Sequence, residues 1–236
     1  MKENAKMVQS KPFTDEETLV LERTEQFVRE TLEQDATGHD WWHIDRVRGN
    51  ARNIARHENE PGNLFVIELA ALLHDIADWK FHGGDAKAGS TVARKWLTEQ
   101  SVAADVTEHV CQIIDNISYK GAGVQTKMST SEGMIVQDAD RLDSLGAIGI
   151  ARTFAYGGHA GRSLYDPAVK PTMHQSFEAY KSSQGHTINH FYEKLLLLKE
   201  RINTTAARNI AQERHAFMEQ YLKQFFAEWD GNDWSN

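Results

Sequence analysis

Four residues stand where core side chains are expected: His43, the adjacent pair His74 and Asp75, and Asp140. Each falls inside or at the end of a segment whose apolar residues recur at helical spacing. Burying two imidazoles and two carboxylates among apolar side chains is costly unless they are hydrogen-bonded, paired or bound to a cation. One divalent ion would satisfy all four together. Two nitrogen and two oxygen donors suit manganese, cobalt, nickel, iron, zinc or magnesium, and they leave coordination positions for water or a substrate. Taken singly, a buried histidine is an ordinary core residue and a helix aspartate faces water; the joint pattern carries the reading.

Such a constellation needs rigid elements to hold it, and the chain predicts helices almost everywhere. Prolines are few, and alternating polar and apolar runs are hard to find, so the expected fold is all-α. Thr14 and Glu17 have capping-box spacing ahead of a stripe of Val20, Leu21, Phe27, Val28 and Leu32, with Gly38 as the break. Asp40 caps a second helix that buries Ile44, Val47, Ala51, Ile54 and Ala55 and ends near Asn59. Asn63 caps a third, from Leu64 to Asp78, which is apolar nearly all round and so central. Asp85 and Ser101 are expected to open two more helices. Another runs through Met134, Ile135, Ala139, Leu142 and Leu145 and resumes from Ala147 to Tyr156. Gly157 to Thr172 lacks apolar periodicity and reads as a long surface loop, a candidate lid. Two helices follow, about His190 to Ile202 and Thr204 to Trp229.

The 236 residues are expected to form one domain over 14–230, with residues 1–13 as a disordered N-terminus. Lys and Arg number 26 against 34 Asp and Glu, a formal charge of -8, which argues against a nucleic-acid partner and its need for a basic field. Apolar runs fall short of the roughly 20 residues of a spanning helix, and Met1 to Ser10 is polar, so the expected setting is the cytoplasm with no membrane contact. The single cysteine, Cys111, sits beside Val110, Ile113 and Ile114 and reads as core.

The strings around the four residues carry more than their spacing. Gly-His-Asp-Trp-Trp-His at 38–43, Leu-Leu-His-Asp-Ile-Ala-Asp at 72–78 and Gln-Asp-Ala-Asp-Arg-Leu-Asp at 137–143 resemble the HD-domain superfamily of metal-dependent phosphohydrolases, in particular a subgroup of small stand-alone bacterial members. The likeness runs over roughly residues 20–229. It implies an HD helical core over about 38–145 with additional C-terminal helices over about 172–229. It also implies one divalent ion, manganese first among the candidates, on His43, His74, Asp75 and Asp140. The implied activity is hydrolysis of a phosphoester or phosphoanhydride in a small phosphorylated substrate. Members resembling this chain suggest a nucleoside triphosphate split into monophosphate and pyrophosphate. The alternatives are a nucleoside monophosphate phosphatase and a noncatalytic nucleotide-binding regulatory module; a homodimer is left open.

Around that core, Asp78 resembles the acidic residue with which related nucleotidases orient or deprotonate the attacking water, and on a continuing helix it projects near the ion. Arg46 and Lys80 are candidates for substrate phosphate, with a salt bridge as the alternative for each. Lys120 resembles a substrate-side element, or is a solvated loop lysine. Asp143 is a candidate support behind the site, and His39 a candidate pocket residue. Trp41, Trp42 and Tyr119 could stack a base or belong to the core. Only His82 and His109 fall between the doublet and Asp140, which favours one ion over two, and the absence of a Gly-Tyr-Pro string sets aside the cyclic-dinucleotide branch.

Overall fold

A computed structural model of the chain describes residues 12–33, 38–77, 87–182 and 185–234, and within them the structure is helical with no strand. Local signals account for most of the helix starts. Helix α1, Asp15–Leu32, opens on a closed capping box: the Thr14 hydroxyl accepts from the Glu17 amide, and the Glu17 carboxylate accepts from the Thr14 amide. Asp40 caps α2, Trp41–His57, by accepting from the His43 amide at 2.9 Å, and Asn63 caps α3, Leu64–Leu73. Every residue of α3 from Phe65 onward is buried, and α1, α2, α5 (Ala104–Ile117) and α6 (Ser131–Asp143) pack around it.

Several boundaries differ from the sequence expectation, each for a physical reason. Helix α2 stops at His57 rather than near Asn59, where Glu58 turns to extended backbone. Helix α3 ends at Leu73 instead of Asp78: the Ile76 amide bonds to the Leu73 carbonyl and tightens the chain into a turn that presents His74 and Asp75. Asp78, Lys80 and Asp85 lie outside the described residues. Helix α4 is Ala88–Glu99, and Ser101, expected to open the next helix, instead adopts φ 58° and closes α4. There the Val102 amide reaches back to the Leu97 carbonyl. Helix α7, Gly146–His159, continues three residues beyond Tyr156, so the irregular stretch starts later than expected. A short α8, Phe177–Lys181, follows that stretch. The helix expected over 190–202 is two elements, α9 (Thr187–Glu193) and a 3₁₀ segment (Leu195–Arg201). The last helix is α10, Thr205–Trp229.

The C-terminal helices belong to the same core. Asp138 of α6 is fully buried, and its carboxylate accepts from the amides of Asn203 and Thr204, from the Thr204 hydroxyl and from the Asn203 side chain, at 2.7–3.0 Å. Thr204 is the N-cap of α10, so one carboxylate on α6 fixes where the last helix begins. Cys111 is buried as expected, and burial pushes its thiol pKa up. Among the described residues no helix is long and apolar enough to cross a membrane.

Candidate metal centre and substrate cavity

Helix α2 brings His43 to the centre, the turn after α3 brings His74 and Asp75, and the last turns of α6 bring Asp140. His43 is wholly buried, and its Nε2 lies 3.2 Å from His74 Nε2, 3.3 Å from Asp75 Oδ2 and 3.6 Å from Asp140 Oδ1. His74 Nε2 is 3.8 Å and 4.0 Å from the same two oxygens. The histidines' other nitrogens are already committed. Nδ1 of His74 sits 2.9 Å from the Ala71 carbonyl, which can only accept, so that nitrogen carries the proton. Nδ1 of His43 donates to Asp143 Oδ2 at 2.7 Å. In the neutral rings both Nε2 atoms therefore point lone pairs at one another and at two carboxylate oxygens. Four converging lone pairs repel unless something positive lies between them, and His43, His74 and Asp140 form one of two groupings with the spacing to hold an ion. The donor set fits a divalent cation.

The second grouping adds His39 to His43 and Asp75. His39 Nδ1 lies 2.5 Å from Asp75 Oδ2, and Asp75, although burial opposes ionisation, is held well below the usual carboxylate range by His39, His74 and His43.

Asp143 lies behind His43 and is only 2% exposed. It accepts from Nε and a terminal nitrogen of Arg46 at 2.7 and 3.0 Å, and Arg152 stands 3.2 Å from it. Burial raises its pKa, but His43 and the two arginines outweigh burial and keep it ionised far below the usual range. A carboxylate so placed fixes the tautomer and tilt of His43. For Arg46 the structure realises the salt bridge, and the guanidinium points at Asp143. Lys120 donates to the Asp115 carbonyl at 3.3 Å and is not part of the cavity wall. Asp78 and Lys80 fall outside the described residues.

A cavity of about 370 Å³ opens from His74, Asp75 and Asp140. One wall is α7, where Gly149, Thr153 and Gly157 at every fourth position leave room for it and Arg152 and Tyr156 flank it. A Cβ on Gly157 would stand 2.3 Å from the Thr187 hydroxyl, so the glycine also sets how closely α7 meets α9. Tyr119, Tyr180, Arg162, His190, Glu193 and Lys194 complete the far side. Trp41 is buried beneath Arg29 and Trp42 is exposed; neither lines the cavity, whereas Tyr119 does. Sequence reasoning passed over Arg152, Tyr180 and Glu193. The four-residue spacing of small side chains on α7 was the available signal for Arg152; nothing local marks the other two.

The comparisons with known proteins agree with this architecture. The family model of the HD domain matches residues 41–145, which contain all four converging residues. The uncharacterized protein YpgQ of Bacillus subtilis is 38% identical over 213 residues, 90% of this chain and 95% of the relative. A crystal structure of YpgQ in complex with ADP superposes with a TM-score of 0.66 at 31% identity, covering 88% of this chain and 97% of that one. A Lactobacillus plantarum protein reaches a TM-score of 0.81 at 36% identity over 93% of this chain and 99% of its own. An HD-superfamily hydrolase of Bacillus thuringiensis reaches 0.67 at 45% identity, with 91% and 98% covered. With the doublet His74-Asp75 at its centre, the chain belongs to the HD-domain family.

Proposed function

We propose that this protein is a divalent-metal-dependent phosphohydrolase that splits a nucleoside triphosphate into monophosphate and pyrophosphate. The observation that carries the reading is the convergence of two imidazole nitrogens and two carboxylate oxygens at one end of a cavity large enough for a nucleotide. The ADP complex of YpgQ supports a nucleotide as the occupant. His43, His74, Asp75 and Asp140 would hold the ion, which when bound polarises a phosphoryl oxygen and acidifies a water.

The remaining work falls to the chain's own groups. The phosphates lie at the ion end of the cavity, where Arg152 stands beside Asp143, and the nucleoside reaches the far wall; Arg162 and Lys194 add to the positive field of the cavity in a protein that carries -8 overall. Asp143, clamped by Arg46 and Arg152, keeps His43 in the tautomer that presents Nε2. His39 braces Asp75 from outside. Asp78 is assigned the orientation and deprotonation of the attacking water, and Lys80 and Lys120 a supporting positive field.

Product chromatography after incubation with nucleoside mono- and triphosphates in manganese, with and without chelator, tests the reading. Chelator-sensitive monophosphate and pyrophosphate are expected. Nucleoside and orthophosphate from monophosphates would replace it with a phosphatase, and no turnover with any divalent ion would leave a nucleotide-binding module. Asp78→Asn should retain metal and lose about 10²- to 10⁴-fold in rate; an unchanged rate removes Asp78 from the chemistry.

A further inference from the structure

The far wall of the cavity contains a carboxylate that the reaction chemistry does not use. Glu193 ends α9, which packs on α7 and the 3₁₀ segment, so it belongs to the wall remote from the converging histidines and aspartates of α2, α3 and α6. It is only 5% exposed, yet it lines the cavity. Its backbone is fixed by the Tyr119 hydroxyl, which donates to the Glu193 carbonyl at 2.8 Å, and one carboxylate oxygen, Oε1, accepts from the Thr172 amide at 2.9 Å. Among the described residues the other oxygen, Oε2, accepts no hydrogen bond. The nearest basic group, His174 Nε2, stands 3.7 Å away, beyond hydrogen-bond range, and is itself a buried nitrogen without a partner. That oxygen is open to the cavity, so a substrate that fills the cavity displaces solvent from it and has to supply a donor in its place. Beside it, Tyr119 and Tyr180 meet edge to face at 5.3 Å, a pair of rings suited to a nucleobase.

We infer that Glu193 is the specificity-determining residue of the cavity: Oε2 accepts a hydrogen bond from a donor on the nucleoside end of the substrate. The inference rests on the reading above, in which the phosphates lie at the opposite end. A phosphate oxygen cannot be the partner, because it too is an acceptor and would be repelled. The partner is therefore an O–H or N–H group, supplied by the sugar or by the base. A site built on such a buried acceptor discriminates strongly against an analogue lacking the donor, since the acceptor is then left unpaired.

The test is calorimetric binding to manganese-loaded protein, with ADP, 2′,3′-dideoxy-ADP, the diphosphate of purine riboside (which lacks the amino group) and inorganic pyrophosphate. Glu193→Gln keeps an oxygen for the Thr172 amide and turns a donor toward the ligand. ADP affinity should fall about tenfold or more in the variant while pyrophosphate affinity holds. One of the two donor-deleted nucleotides should bind the wild-type protein about as weakly as ADP binds the variant, and which one it is names the sugar or the base. That arm uses no variant, so it stands even if Glu193→Gln fails to fold. Unchanged ADP affinity in the variant, a parallel loss for pyrophosphate, or wild-type binding of both analogues as tight as that of ADP overturns the assignment. Intact ADP binding without hydrolysis of any nucleotide sinks only the hydrolase reading; no ADP binding by the wild-type protein overturns both.

Discussion

Asp143 touches no cavity, yet it decides which nitrogen His43 offers. Replacing it by Asn keeps an oxygen facing Nδ1 but removes the charge that Arg46 and Arg152 share, and metal affinity should fall about 10- to 100-fold by titration calorimetry. Unaltered affinity would show that the ring needs no such brace. The same contacts set a pH dependence with two signs. Burial lowers the pKa of His43 and Arg152 adds to that, but Asp143 and Asp75 prevail and raise it above the ordinary 6.5. A histidine raised in the folded state stabilises the metal-free protein fully below the unfolded value, and that contribution is lost as pH rises through the folded one. A cation needs the deprotonated ring, so its own stabilisation grows over the same range. Between about pH 6 and about pH 8 the Tm should therefore fall in chelator and rise in saturating manganese; slopes of the same sign would refute the coupling. His43, His74, Asp75 and Asp140 were legible in the sequence because polar types in apolar helices are conspicuous. Arg152 and Glu193 were not, because each gains its meaning from residues far away in the chain, Gly38 for the one and Tyr119 for the other.

Helices were legible where a cap is written locally, as at Thr14, Asp40 and Asn63, and misread where backbone geometry or a distant partner sets the end. Ser101 looked like a cap and is instead a left-handed stop, and the turn after Leu73 depends on tertiary packing around His74 that no spacing rule contains. One inter-element tie is Asp138, a residue in a string whose neighbours lie at the site. Because it accepts four distinct donors at the start of α10, of which the Thr204 amide and hydroxyl are buried, Asp138→Ala should cost about 2–4 kcal/mol. A lowered urea midpoint with an unchanged slope, together with faster tryptic cleavage after Arg201, is the expected result. A midpoint equal to that of the wild type would show that α10 is held by its apolar face alone.

At the scale of the molecule, a net charge of -8 coexists with a cavity whose wall carries Arg152, Arg162 and Lys194 beside Asp75, Asp140 and Glu193, so three cations and a bound divalent ion would together favour a polyanion there. Nucleotide affinity should weaken as ionic strength is raised, and the slope should become shallower in Arg152→Gln, measured beside metal content to separate this from its hold on Asp143. The overall helical class followed from composition and periodicity. The cavity did not, since it forms only where α7 and α9 face the histidines across the molecule. That arrangement places the four converging residues on one stretch of chain, 43–140, and, with Tyr119 as an exception, most of the wall opposite them on the next, 149–195. Substitutions in the second stretch can therefore reshape what the cavity admits while the grouping of imidazoles and carboxylates in the first is left intact, so the fold keeps the centre of the site and the shape of its occupant on separate stretches of chain.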